Sequence, residues 1–223
     1  NRKTLKAIPK SGDYNTFQDL SLCAYFPGVK TINLEYCNIK LRDELPLKKV
    51  YSLFGHFWSG CRSVEELKVV PYNDFELAIL KKIDGSKRFL SFLKKVELEI
   101  HATHRHIETS RKVLIELIGN KNFLRRVTHL EIRNFEENKL DWELVQSLIS
   151  SCPRLYFLSF PTGDRYWGNG SDQGLIKENF CLNLRCLHNL QVLCMNVKHF
   201  KSFINGVQFP PFLRVMRLSI VDH

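Results

Sequence analysis

The stretch VKTINLEYCNI, residues 29–39, has apolar residues at spacings that predict a short β-strand. Ile32 and Leu34 alternate with polar residues, so one face of the strand is apolar and the other is polar. Val29 and Ile39 lead the chain into and out of the strand beneath the same core. One strand of this kind cannot bury its apolar face alone, so the chain must contain more of them.

The same three-position apolar pattern returns along the chain. Its central positions are Ile32, Leu67, Val96, Leu130, Leu158, Leu193 and Met216. The intervals between these positions are 35, 29, 34, 28, 35 and 23 residues. Seven units with a helix between consecutive strands predict a curved α/β solenoid, with short parallel strands on the concave face and helices outside.

The segments between the strands have helical apolar spacing. The predicted helices cover residues 47–58, 75–83, 107–118, 141–149, 171–184 and 200–204. Asp141 is expected to cap the fourth helix, and Gly119 with Asn120 is expected to end the third.

Two strands carry a cysteine at the start of the pattern. These motifs are Cys61-x-x-Val64-x-x-Leu67-x-Val69 and Cys152-Pro153-x-Leu155-x-x-Leu158-x-Phe160. With these motifs the chain resembles the leucine-rich-repeat proteins, and within them the cysteine-containing type found in many F-box proteins. The sequence SDQGL at residues 171–175 is similar to the motif that opens the helix in repeats of this type.

The resemblance implies a non-enzymatic protein-interaction scaffold that binds a partner on its concave face. F-box members recruit a substrate to a cullin-type ubiquitin ligase, so substrate recognition in such a ligase is an alternative, with the adaptor bound through a region outside this chain. We expect residues 29–223 to form the repeat domain. Residues 1–28 are an N-terminal cap or the end of a preceding repeat, and the chain is expected to be part of a longer protein.

The residues between the buried positions of each strand are predicted to line the concave face. Those of the first four units are mostly charged, and those of the last three are apolar or small. Glu97, Glu99 and Glu131 oppose phosphate binding on this face. The cations lie on helices and links, which counts against nucleic acid as the ligand of the concave face but not against a contact elsewhere on the chain. A leucine-rich-repeat domain that binds RNA is therefore a further, less favoured alternative.

The link at residues 161–174 is rich in glycine yet contains Tyr166 and Trp167. Either these aromatic residues anchor a partner, or they fold back over the edge of their own repeat. We predict that the partner contacts this loop and the C-terminal half of the concave face. The predicted partner-binding residues are Phe157, Ser159, Pro161, Tyr166, Trp167, Val192, Asn196, Arg217, Arg133 and Glu131.

No motif for catalysis or cofactor binding was found, so an enzyme is not expected and neither a cofactor nor a metal is predicted. The histidines of His101-x-x-His104-x-His106 present two alternatives, a zinc site or a solvated loop. The solvated loop is favoured because no cysteine or carboxylate lies between them.

The composition bears on whether the protein contacts a membrane and on its cellular compartment. The 223 residues carry a net charge of +10, with 44% hydrophobic residues. No apolar run approaches the roughly 18 residues of a membrane span, so no membrane partner is expected. The seven cysteines are scattered without a C-x-x-C, which favours a reducing compartment, the cytoplasm or nucleus, and small buried thiols.

Overall fold

The structure is a computed structural model that describes residues 4–6, 30–34, 61, 63–71, 74–101, 107–133, 142–160, 182–197 and 205–220. Its strands are β1 (Thr4–Lys6), β2 (Thr31–Leu34), β3 (Glu66–Val69), β4 (Lys95–His101), β5 (His129–Arg133), β6 (Phe157–Phe160), β7 (Leu182–Asn183), β8 (Val192–Val197), β9 (Val207–Gln208) and β10 (Val215–Ile220). Its helices are α1 (Asp74–Gly85), α2 (Lys87–Phe92), α3 (Ile107–Gly119), α4 (Lys121–Leu124) and α5 (Trp142–Ser150).

Eight of these strands form one sheet in the order β1-β2-β3-β4-β5-β6-β8-β10. Every neighbouring pair in the sheet is parallel. The remaining two strands, β7 and β9, pair with each other. Parallel neighbours require a crossover connection, and the five helices lie in three of these crossovers. The predicted α/β class is confirmed, and β1 adds a strand to the seven that the pattern predicted.

The apolar face of the sheet packs against the helices to form the core. In β3, burial alternates residue by residue, with Leu67 and Val69 inside. Helix α1 contributes Leu77, Leu80 and Ile83, which are at most 2% exposed. Because these strand and helix side chains belong to one hydrophobic cluster, the helices cover one side of the sheet and leave the other side polar.

The predicted helices at 75–83, 107–118 and 141–149 correspond to α1, α3 and α5. The predicted end of the third helix is confirmed at Asn120, whose side-chain Nδ2 donates to the Glu116 carbonyl at 2.9 Å. The predicted helices at 47–58 and 200–204 lie outside the described residues. The end of the predicted 171–184 helix is wrong, because Leu182 and Leu184 are buried around exposed Asn183, a strand-like alternation.

A hydrogen-bonding arrangement recurs where strands begin. The backbone carbonyl of the residue before a strand accepts N–H groups from two consecutive residues at the start of the next strand in the sheet. The acceptors are Lys30, Glu65, Thr128, Tyr156 and Gln191, with N···O distances of 2.8 to 3.1 Å. Each such carbonyl therefore sets where the following strand starts.

A buried turn also recurs, directly before β4, β5, β6 and β8. In each turn an apolar residue accepts, through its carbonyl, the N–H of the apolar residue three positions later. The pairs are Leu90 with Leu93, Leu124 with Val127, Cys152 with Leu155, and Leu187 with Leu190. All these side chains are at most 3% exposed, so the turns belong to the core.

The regular arrangement changes between β4 and β5. Here the Thr128 N–H donates to the Val96 carbonyl at 3.0 Å, and Leu130 pairs with Leu98. The sequence pattern predicted that Leu130 pairs with Val96. In the structure it pairs with Leu98, so β5 is shifted by two residues along β4 relative to that prediction. Thr128 Oγ1 lies 3.1 Å from both the nitrogen and the oxygen of Val96, and it bridges the shift. A shift by two keeps the same strand face toward the core.

Candidate functional site

The side of the sheet opposite the helices is the candidate binding surface, which we call the polar face. It consists of the residues that alternate with the buried ones in β2 to β6, β8 and β10. The first row across these strands is Asn33, Lys68, Glu97, His129, Phe157, Val192 and Val215. The second row is Glu99, Glu131, Ser159, Cys194 and Arg217. We call its β2–β5 part the charged half and its β6, β8 and β10 part the apolar half.

Glu99 lies at the centre of the charged half. Its side chain is only 5% exposed and accepts from two cations, with Lys68 Nζ at 3.2 Å and Arg133 Nε at 3.0 Å. Arg133 Nε also lies 2.5 Å from Glu131 Oε1. A buried carboxylate requires such partners, since desolvation without them is costly. The four side chains form an internal network.

The edge of the charged half is also paired internally. Lys95 forms an ion pair with Glu97. Glu65, which precedes β3, is held between Lys30 at 2.8 Å and Lys94 at 2.9 Å. The hydrogen bond from Lys30, and then that from Lys94, lowers the pKa of Glu65 to about 2. The carboxylates in these pairs already have cations, so a charged partner would have to compete with them.

His129 stands where the two halves meet. Its ring stacks on Phe157, with centroids 5.7 Å apart, and lies 5.9 Å from the ring of Tyr156. Its Nδ1 is 2.9 Å from Thr128 Oγ1. Burial lowers the pKa of His129 below 6.5, the positive charge of Lys95 lowers it further, and Glu97 opposes this. The imidazole is therefore mainly neutral at pH 7 and acts as part of an aromatic cluster.

The apolar half presents hydrophobic side chains to solvent in register. Phe157, Val192 and Val215 occupy neighbouring positions of the first row. Phe157 and Val192 are half-buried, and Val215 is 40% exposed. Apolar side chains that remain accessible on the open side of a sheet are suited to contact with a second protein.

Arg217 is the cation of this apolar half. It is exposed on β10 beside Cys194 in the second row. It forms no hydrogen bond or ion pair with the rest of the described chain. Burial raises the pKa of the Cys194 thiol, Arg217 lowers it, and Glu131 raises it. The thiol is protonated at neutral pH, while Arg217 is available to an incoming anion.

The predicted site residues separate into three groups. Phe157, Val192 and Arg217 lie together in the apolar half, and Asn196 is on β8 with them. Ser159 is also there but only 7% exposed, so it offers little surface. Glu131 and Arg133 are engaged in the charged half. Pro161, Tyr166 and Trp167 lie outside the described residues.

Three residues outside the predicted partner-binding set, Val215, Tyr156 and Met216, are exposed on or beside this surface. Val215 extends the apolar row, and Tyr156 is 42% exposed next to His129. Met216 was expected in the core but is 42% exposed, and this expectation is corrected. Its strand, β10, is the last in the described sheet order and has a neighbour, β8, on one side. The alternation pattern identifies the face of Met216 but not the strand's position in the sheet.

The structure describes four of the seven cysteines, Cys61, Cys152, Cys186 and Cys194. Cys61 and Cys152 are buried, as predicted for small apolar groups, whereas Cys186 is exposed. Burial raises the pKa of Cys152 to about 12, and its Sγ donates to the Leu148 carbonyl at 3.3 Å. A thiol in this state is a poor nucleophile.

Comparison with known proteins gives no family assignment, since no protein-family model and no curated protein match this chain. Within the described ranges, no group of three or more side chains is arranged to hold a metal ion. The histidine motif falls largely in residues 102–106, which are not described. In the same part of the chain, no helix has both the length and the apolar composition of a membrane span.

Proposed function

We propose that this chain is a leucine-rich-repeat scaffold without enzymatic activity, and that it binds a protein partner on the apolar half of its polar face. The observation that carries this proposal is the in-register row of Phe157, Val192 and Val215, which remains accessible beside Arg217, a cation without an ion pair to any described residue. Such a surface combines apolar contact area with one charged anchor, the composition of a protein interface.

The recurring backbone features support a repeat architecture. Five carbonyls accept paired N–H groups at strand starts, and a buried apolar turn precedes four of the strands. Cys152 and Leu155 of the leucine-rich-repeat-like motif form one of these turns. Repetition of one local unit along a sequentially ordered parallel sheet is what a solenoid requires. In a solenoid of this kind, the polar face is the concave face.

The internal pairing of the charged half supports placing the partner at the other end. Lys68, Glu99 and Arg133 satisfy one another. A partner that binds there has to replace existing ion pairs and desolvate their charges, which leaves little net gain. A partner that binds at Phe157 and Val215 displaces water from apolar surface, which is favourable, and breaks no ion pair between described residues there.

The experiment that tests this proposal places a photo-crosslinking amino acid at Val215 in one variant and at Ile115 in another. Ile115 is a matched control because it is also an exposed apolar residue, 52% accessible, but lies on α3 in the helical layer. We expect a defined protein to crosslink from position 215 only, and the substitution Val192→Glu to abolish that product. Equal crosslinking from both positions would contradict the proposed surface.

Substrate recognition in a ubiquitin ligase remains a prediction that rests on the F-box resemblance. No contact in the described ranges bears on an adaptor. If the partner identified from position 215 is ubiquitinated in a manner that depends on Arg217 and Val192, this alternative becomes the specific function of the same surface.

A further inference from the structure

The helical layer carries a charge surplus that is separate from the polar face. Residues 74–92 and 120–126, which include α1, α2 and α4, contain seven Lys or Arg against Asp74, Glu76 and Asp84, a surplus of four positive charges. These helices pack against one another. The surplus is therefore a local property of one part of the surface, which we call the basic helical surface. Its cations are Lys81, Lys82, Lys87, Arg88, Lys121, Arg125 and Arg126.

The cations point away from the core. All are exposed except half-buried Arg126, whereas the large apolar side chains described in the same helices are buried, with the exception of Phe92. Phe89 and Leu90 of α2, with Phe123 and Leu124 of α4, are at most 2% exposed. The two kinds of residue are thus divided between the inner and outer sides of the layer, as in an amphipathic helix.

Among the acidic residues of these segments, Asp84 is hydrogen-bonded to α4. Asp84 Oδ1 accepts the backbone N–H of Phe123 at 2.8 Å, and Oδ2 accepts from the Asn122 side chain at 3.3 Å. It therefore serves to join α1 to the start of α4. Lys82 aside, the cations make no ion pair with any described residue. Six positive charges are consequently available to a polyanion.

An exposed aromatic residue accompanies the cations. Phe92 of α2 is 38% exposed and follows Arg88 by four positions, a spacing that places both on one face of a helix. Bases of a single strand stack on such aromatic rings, while cations contact the phosphates. A helix that docks on a membrane instead inserts a broad apolar face. The apolar faces of α2 and α4 are already in the core.

We propose that the basic helical surface binds single-stranded nucleic acid without strong sequence preference. The cations of α1, α2 and α4 contact the phosphate backbone, and Phe92 stacks on a base. The polar face plays no part in this activity, so the proposal does not depend on the proposed protein partner. The surface therefore recognises the charge of the phosphate backbone and the faces of unpaired bases.

The test is fluorescence anisotropy of the whole chain with a labelled oligouridylate at several salt concentrations. Contacts to about four phosphates predict that log Kd rises with log salt with a slope of about 3. The double variant Arg88→Glu/Arg125→Glu should weaken binding about tenfold or more and lower the slope by about 1.4. Phe92→Ala should weaken binding about fivefold with an unchanged slope, because it removes stacking and no charge.

The matched control is Arg185→Glu/Arg214→Glu, which changes the net charge equally at two exposed arginines of the β8 and β10 units. We expect this control to weaken binding by less than about twofold. Equal weakening by the two double variants would overturn the proposal, since net charge alone would then explain binding. Binding to phosphatidylserine vesicles or polyglutamate, but not to the oligouridylate, would also overturn it. Circular dichroism melts of each variant verify that the fold is retained.

Discussion

The two halves of the polar face belong to one sheet but differ in what they leave for a partner. In the charged half, Glu99 is 5% exposed between Lys68 and Arg133, and Glu97 is paired with Lys95. In the apolar half, Val215 is 40% exposed and Arg217 has no partner among the described residues. Many charges on a surface therefore do not by themselves indicate where binding occurs. The accessible side chains whose interactions are incomplete are the better guide.

The difference follows from cross-strand pairing. Long charged side chains on neighbouring parallel strands are close enough to pair, and a run of several such strands allows a network. β6 places Phe157 and Ser159 beside β5 instead of charged residues, so these two positions add no ion pair to the network. Arg217 lies three strands beyond β5 in the sheet order, so Glu131 does not form an ion pair with it.

The largest expected effect is a loss of unfolding free energy that differs between a core residue and a surface residue on the strands of the apolar half. Leu193 and Met216 pair directly in the sheet, yet Leu193 is 0% and Met216 is 42% exposed. Leu193→Ala should lower the free energy of unfolding by about 3 kcal/mol, because it leaves a cavity in the core. Met216→Ala should cost about 1 kcal/mol or less, because little surface is lost. Urea denaturation measures both, and similar losses would mean that Met216 is covered in solution.

The next effect concerns the network of the charged half. Glu99→Gln leaves Lys68 and Arg133 without their shared carboxylate, and we expect a loss of about 2 kcal/mol, since both cations are partly solvated. Glu97→Gln is the control, because its pair with Lys95 is more exposed and should contribute about 0.5 kcal/mol. If the two variants unfold at the same urea concentration, burial of Glu99 does not strengthen the network. Partner binding on the apolar half should survive both substitutions.

Much of this arrangement could be predicted from the sequence. The alternation of apolar and polar residues predicted seven strands, β2 to β6, β8 and β10, and the helical spacing predicted α1, α3 and α5, because local periodicity determines which side chains can be buried. The C-terminal change from charged to apolar residues was visible at Phe157 and Val192. These features depend on a residue and its near neighbours in the chain.

Other features depend on neighbouring strands and were not predictable in this way. The alternation placed Glu99 on an open face, but side chains from β3 and β5 cover it. At the shift between β4 and β5, the Thr128 hydroxyl forms hydrogen bonds with both backbone groups of Val96, a contact between strands that local spacing does not reveal. Met216 fits the core pattern but lies at the end of the described sheet. The spacing of apolar residues predicts which residues form a strand, but it does not predict where that strand lies in the sheet.

A smaller effect is expected from the shift itself, which aligns His129 of β5 with Glu97 of β4. Thr128→Val removes the hydroxyl and leaves the Val96 N–H without that acceptor, so we expect a loss of about 1.5 kcal/mol. Thr31→Val is the control, because its hydroxyl donates to partly solvated Glu66 and should contribute about 0.5 kcal/mol. Thermal melts that show no difference between the variants would argue against a structural role for the bridge.

The smallest effect is a pH dependence at the boundary between the halves. Burial and Lys95 lower the pKa of His129 below 6.5 in the folded protein, so the unfolded chain binds its proton more readily. The stability contributed by the neutral ring is complete above pH 6.5 and is lost as the pH falls toward the lower folded pKa. Glu65, with a pKa of about 2, keeps its charge throughout this window, so its ion pairs persist.

NMR titration of the imidazole resonances tests this assignment. Lys95→Met should raise the pKa of His129 toward 6.5, because it removes a neighbouring positive charge. Glu97→Gln should lower that pKa further, because this carboxylate favours the protonated ring. Shifts in the same direction for both variants would show that loss of the Lys95–Glu97 pair, rather than its separate charges, controls the pKa of His129.

His129→Asn tests the effect on stability. This variant should lose less stability between about pH 7 and about pH 5, and the pH dependence that remains then belongs to other histidines. A selective effect at His129 would mean that mild acid changes the aromatic cluster beside the apolar half while the charged half remains paired.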